Sequence, residues 1–177
     1  MTREVVQLRA ETAEVREEPP LYDLIELLFF AYRDFVGDAD RLLEVYGFGR
    51  AHHRVLHFVS RKPGLTVAEL LDILRITKQS LARVMKDLLE AGFVTAQSGA
   101  ADRRQRLLFV TPTGRELADS LARLQSERFR RALRELPSDA REGAIRFLFA
   151  MVDGDARDDV AATVWPEIAP LPRMERQ

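Results

Sequence analysis

The 177-residue sequence contains no cysteine. This one absence excludes thiol nucleophiles, disulfides, thiol redox sensing and thiolate-bound zinc or iron–sulfur centres. Histidine is scarce as well: His52, His53 and His57 are the only three, and Trp165 is the single tryptophan. No apolar run approaches the roughly 20 residues of a membrane span. Residues 1–20 also lack the uninterrupted apolar core of a signal peptide, so a soluble, cytoplasmic chain with no membrane partner is expected. There is no G-x-S-x-G elbow, no phosphate-binding P-loop, no dinucleotide glycine fingerprint and no H-E-x-x-H, which leaves little on which to build an enzyme.

What is present is an ordinary globular composition, 46% hydrophobic and 31% charged with eight prolines. The length suits one compact unit. The formal net charge of −1 conceals a strong asymmetry. Residues 1–49 hold 5 Lys/Arg against 11 Asp/Glu, residues 50–110 hold 11 against 5, and residues 111–177 hold 11 against 12. A basic middle third inside an acidic frame is the footprint of a nucleic-acid face, although charge alone does not separate that from a solvated surface.

Helix signals dominate the chain. Pro19-Pro20 opens an apolar run from Leu21 to Val36 in which Leu24, Leu27, Leu28, Phe29, Phe30, Tyr32 and Phe35 cover nearly the whole circumference. A helix apolar all round needs burial on several sides, which points to a helical core shared with another chain. A second helix spans about 49–60, with Val55, Leu56, Phe58 and Val59 inward, and Lys62-Pro63-Gly64 ends it. Thr66 and Glu69 have the spacing of a capping box, starting a short helix over 67–74. Arg75-Ile76-Thr77 turns the chain, and Thr77 caps a helix from Lys78 to about Glu90 that Gly92 terminates. On that helix Leu81, Val84, Leu88 and Leu89 are expected inward, leaving Lys78, Gln79, Ser80, Arg83 and Lys86 on the exposed side.

After Gly92 the pattern changes to two short strands, at 93–96 and 106–110, joined by a polar hairpin carrying Arg103 and Arg104. Thr111-Pro112 starts another helix, whose stripe of Leu117, Leu121, Leu124 and Phe129 suits packing against a neighbour. Pro137-Ser138 opens one more, with Ala144, Phe147, Leu148 and Met151 on one face, ending by Gly154. The remainder reads as a tail rich in Asp and Pro, with Trp165 as its anchor. The acidic stretches at 11–18 and 153–159 are expected to solvate the tails, the alternative being that they repel nonspecific DNA from the wrong face.

A short helix, a tight turn, a second helix with a polar face and a basic hairpin make a winged helix-turn-helix. Lys and Arg bond guanine edges, Gln bonds adenine, and Ser or Thr bonds either base or phosphate, while a guanidinium suits the narrow minor groove. The stretches TVAELLDILRITKQSLARVMKDLLEAGFV and DRRQRLLFVTPTG resemble the winged helix of the MarR family of bacterial transcription regulators. Asp102, Arg104, Thr111 and Gly114 match that family's wing pattern, the resemblance extends more weakly over about 21–152, and FGRAHHRVLHFV is similar to the PetP-type subgroup.

The resemblance implies a mainly α chain with a small β-hairpin wing, a winged helix-turn-helix joined to an intertwined helical dimerisation domain. It implies an N-terminal extension (1–20), a first dimerisation helix (21–48), a DNA-binding lobe (49–111), C-terminal dimerisation helices (112–154) and a tail (155–177). Such a homodimer binds double-stranded DNA at a pseudo-palindromic promoter site, repression being the family's commoner mode. Thr77, Lys78, Gln79, Ser80, Arg83 and Lys86 would meet the major groove. Asp102 would hold the wing loop, and either Arg103 or Arg104 would enter the minor groove.

His53 and His57 stand at the i, i+4 spacing that sets two imidazoles on one helix face. A metal or haem pair is one reading, yet with no thiolate and no second histidine cluster none is expected, nor any other cofactor. In the family the space between dimer helices and lobe takes small aromatic effectors, making Tyr32, Phe35, His53 and His57 candidate lining residues. A winged helix used purely for protein interaction is the remaining alternative, which the basic wing disfavours.

Overall fold

A computed structural model of the chain describes residues 19–99 and 104–166. Helix α1 runs over Tyr22–Glu44, started by the Pro20 carbonyl accepting from the Tyr22 amide at 3.0 Å. It continues eight residues beyond the apolar run. Its two halves have different surroundings: Val36, Ala39 and Leu43 are buried in this chain, whereas Leu27 and Phe29 remain 63% and 67% exposed.

Helix α2 (Arg50–Arg61) inserts Val55, Leu56 and Val59 into the centre, with Phe58 half-buried against them. The two-residue strand β1 (Leu65–Thr66) then leads into α3 (Val67–Leu74). Residues 75–77 turn the chain into α4 (Lys78–Glu90), and β2 (Val94–Ser98) and β3 (Arg106–Val110) form the hairpin. The sheet is antiparallel, in the order β1-β3-β2, with Leu65 opposite Leu108 and Val94 opposite Val110. β1 is too short to show a strand period, and it forms because the hairpin offers it an edge. One core results, in which Leu43, Val55, Leu56, Val59, Leu70, Leu81, Leu88, Val94, Leu108 and Leu121 all meet.

Helix α5 (Pro112–Arg134) returns along α1 and α2. Its start is fixed by local chemistry. The Thr111 hydroxyl accepts from the Gly114 amide at 3.0 Å and donates to the Gly92 carbonyl at 2.7 Å, while the Thr111 amide donates to the Phe93 carbonyl at 3.0 Å. A Cβ at Gly114 would stand 2.0 Å from the Phe93 oxygen. The Thr-x-x-Gly pattern is therefore a docking joint between wing and helix, and only glycine allows the approach.

Farther along, Arg115 donates to the Ser60 carbonyl (3.0 Å) and hydroxyl (2.6 Å), satisfying the one buried polar side chain of α2. Arg128 pairs with Asp38 of α1 at 2.6 Å, and Phe129 meets Phe35 with ring centroids 5.3 Å apart. That guanidinium hydrogen bond holds the Asp38 carboxyl below its usual range, with the Arg128 and Arg41 charges adding to it.

Two expectations, for Leu89 and for the tail, need correction. Leu89 is 40% exposed, and Met85 takes its inward place beside Leu81, Val84 and Leu88, because α4 packs against the shared core with that face. The α5 stripe is divided, with Leu117 and Leu121 in this chain's core and Leu124 and Phe129 exposed, in keeping with a stripe suited to packing against a neighbour. The segment after Gly154 is not merely a tail: a 3₁₀ turn (Gly154–Ala156) leads into α7 (Arg157–Val164).

Helix α6 (Ala140–Ala150) buries none of its residues, and Phe147, Leu148 and Met151 are about half exposed. Arg157 fastens α7 back onto α6 by donating to the carbonyls of Ala150 (2.8 Å) and Val152 (3.1 Å). Trp165 meets Phe149 edge-on at 5.4 Å, so it anchors the segment as expected.

Candidate nucleic-acid interface

The interface is built from the α3–turn–α4 unit. The Thr66 hydroxyl accepts from the Glu69 amide at 3.2 Å, and Glu69 accepts from the Thr66 amide and hydroxyl at 2.8 Å, completing the capping box read from the sequence. Lys62 donates to the same carboxylate at 2.6 Å. This ammonium contact, followed by the Thr66 bonds, lowers the Glu69 pKa to about 2. At the other end of α3, Arg75 adopts the left-handed conformation (φ 48°) and Arg54 donates to the Leu74 carbonyl at 3.0 Å. A non-glycine residue there is uncommon and closes the helix abruptly.

Thr77 then caps α4, accepting from the Ser80 amide at 3.1 Å and donating to the Ser80 hydroxyl at 2.8 Å. Thr77, Lys78, Gln79, Ser80, Arg83 and Lys86 are all exposed, so the structure brings these six candidates together on one outward surface of α4 and its cap. Lys86 stands 3.8 Å from Glu90, an i, i+4 pair too exposed to hold it firmly. Arg83 has no ion-pair partner among the described residues. The helix can thus present three cations and an amide to a polyanion without first breaking a strong pair.

Arg104, at the base of the hairpin loop, is exposed, and Arg106 is exposed opposite Ser98 in the ladder. Asp102 and Arg103 lie outside the described residues. The four proposed effector residues are spread more widely. Tyr32 points outward from α1, Phe35 packs on Phe129, and His53 and His57 are half-buried on α2.

His57 lines a recess of about 190 Å³ with Ser60, Arg61, Arg115, Ala118, Asp119 and Ala122; Tyr32, Phe35 and His53 are not in its wall. Burial pushes both imidazoles below their usual pKa. His57 adds to this at His53, which Asp40 opposes, and Arg61 adds to it at His57. No group of three or more metal-ligating side chains occurs among the described residues. Among those residues, too, no helix is long and apolar enough to cross a membrane.

A family model described as MarR family matches residues 46–105. The HTH-type transcriptional regulator PetP of Rhodobacter capsulatus is 45% identical over 129 residues, 73% of this chain and 78% of that protein. The chain belongs to the MarR family of DNA-binding transcriptional regulators. A MarR transcriptional regulator of Methanosarcina mazei superposes with a TM-score of 0.62 at 25% identity, covering 73% of this chain and 94% of its own. A MarR-family protein of Mycobacterium tuberculosis, solved in complex with salicylic acid, superposes with a TM-score of 0.55 at 25% identity, covering 77% and 98%. In this MarR-family chain the described residues include the helix-turn-helix and both strands of the wing.

Sequence reasoning missed several residues that shape the site. His52 accepts from the Gly49 amide at 3.1 Å through Nδ1 and lies 3.2 Å from Asp87 of α4 through Nε2. Arg54 and Arg115 join elements 20 and 55 residues apart. None of these follows from periodicity. The one available signal is the place of His52 as third residue of its helix, where a side chain can reach back to the cap amide.

Proposed function

We propose that this MarR-family regulator acts as a homodimer on a pseudo-palindromic promoter site, each lobe laying α4 in a major groove and its wing along the adjacent minor groove. The observation that carries this reading is the exposed cluster on α4 headed by the Thr77 cap. A helix N-terminus reaches furthest into the groove, and Lys78, Gln79, Ser80 and Arg83 supply donors of the kind that read base edges there. Lys86 meets phosphate. Arg103 or Arg104 follows the wing into the minor groove, whose negative potential favours a guanidinium.

The exposed apolar half of α1, with the uncovered faces of α6 and of the second half of α5, supports assigning these helices to dimerisation and residues 49–111 to DNA binding. A steric repressor follows: a dimer seated on promoter elements excludes polymerase. A small aromatic acid that favours a lobe spacing unfit for DNA would release it. The salicylic-acid complex of the M. tuberculosis relative supports that ligand class, and Arg61 and Arg115, in the recess that His57 lines, offer cationic donors to a carboxylate.

Selection of bound duplexes from a random DNA pool tests the reading. A palindrome with half-sites about one helical turn apart, bound with a steep salt dependence, is expected. Enrichment of an unrepeated motif by a monomer would overturn it. Repression requires the selected site to overlap promoter elements, and a site wholly upstream would argue for activation.

A further inference from the structure

We propose that His52 positions the recognition helix, pinning α4 to the first turn of α2 through a neutral imidazole of fixed tautomer. Nδ1 accepts the Gly49 N–H at 3.1 Å, so it carries no proton. The ring proton of the neutral form is then on Nε2, which donates to Asp87 Oδ2 at 3.2 Å. The ring cannot swing away, because it is stacked on Phe48 with centroids 4.8 Å apart and planes 11° from parallel. Phe48 is itself buried and meets Phe93 edge-on at 5.1 Å, just where α4 has given way to the wing. The His52 side chain is only 13% exposed.

Asp87 is more open: its side chain is 43% exposed, and it sits beside Lys86 on the element that offers cations to DNA. A carboxylate there opposes binding of a polyanion, and its contact with His52 supplies a reason for it. Asp87 is four residues from Arg83 and one from Lys86, so any rotation of α4 that parts Asp87 from His52 carries both cations with it. The pin also has an upstream connection. Residues 45–49 join α1 to α2, and Arg50 pairs with Asp40 of α1 at 2.9 Å across that joint. A change in the angle between α1 and α2 therefore reaches α4 through His52, linking the proposed dimer helices to the proposed DNA-reading surface.

The inference rests on the DNA-binding reading, and its test has one arm that does not use DNA. Affinity for a selected duplex and for a random duplex is measured in a double-mutant cycle of His52→Ala and Asp87→Ala, with thermal unfolding as a check. His52→Ala should weaken specific binding about tenfold, a factor in keeping with loss of one charge-assisted hydrogen bond. In the Asp87→Ala background it should have little further effect. His52→Gln, whose amide can accept from Gly49 and donate to Asp87, should restore most of the affinity. Equal losses in both backgrounds would overturn the proposal.

The second arm is amide hydrogen exchange of the free, full-length protein. Exchange at the Gly49 amide and in the last turns of α4 should rise in His52→Ala and stay near the wild-type rate in His52→Gln. If wild-type protein binds no duplex, the DNA-binding reading fails and exchange alone decides the pin: unchanged exchange in His52→Ala overturns it.

Discussion

Gly114 and Glu69 show how much a single residue decides in this fold. At Gly114 the missing Cβ lets α5 begin within reach of the Phe93 carbonyl, and a methyl group would meet that oxygen at 2.0 Å. Backbone on both sides leaves little to give way, so Gly114→Ala should destabilise by about 1–3 kcal/mol or more, as overpacking does. Urea unfolding checks this through the midpoint, and an unchanged midpoint would mean the joint is looser than described. Glu69 acts through charge. Its pKa is lowered from the usual carboxylate value to about 2, chiefly by Lys62. A depressed carboxylate contributes stability that is fully present above its unfolded pKa and is lost as pH falls through the folded one. Stability should therefore decline between about pH 4.5 and 2, by no more than about 1 kcal/mol because the pair is exposed. Glu69→Gln should flatten that part of the acid limb in pH-dependent unfolding, and an unaltered limb would show that other carboxylates carry it.

Among the elements, those closed by side-chain caps were legible in the sequence and those placed by packing were not. Thr66 with Glu69, Thr77 with Ser80 and Thr111 with Gly114 are each three residues apart, so their spacing announces them, and α3 and α4 begin and end where the sequence places them. The inward face of α4 is different. Met85 and Leu89 both lie at helical spacing from Leu81, and only the packing of α4 against the rest of the lobe decides that Met85 turns inward. β1 needs its partner Leu108, and α7 needs Arg157 reaching back to α6, contacts that no local pattern encodes. The same holds within the site: the six candidates on α4 were read from one helix, whereas His52 and Asp87 are 35 residues apart. Two helix-scale outcomes follow. Thr77→Ala should cost about 1 kcal/mol of stability through the lost cap, visible as a lower thermal midpoint. Lys86→Ala should weaken all duplexes alike and reduce the salt slope by about 1, and a sequence-dependent loss would instead assign Lys86 to a base.

For the whole molecule, the apolar surface is the main constraint on how it assembles. Leu27 and Phe29 are exposed on α1, and Phe147, Leu148 and Met151 at α6, in a chain whose helix-turn-helix and sheet share a closed core. Exposed apolar side chains in such numbers along one helix mark an interaction site. The proposed occupant is a second copy, so Leu27→Glu with Phe29→Glu should yield a monomer in analytical ultracentrifugation while helical circular dichroism is largely retained. A double variant that still sediments as a dimer would remove α1 from the interface. If the exposed face of α4 reads base edges, one ratio shows it: affinity for the selected duplex over affinity for a random duplex, in wild type and in Arg83→Ala. Loss of a base contact predicts a fall in that ratio of about ten- to a hundredfold, corresponding to about 1–3 kcal/mol, with random-duplex affinity little changed. An unchanged ratio, with both affinities falling together, would contradict the claim and leave α4 as a phosphate-binding helix only.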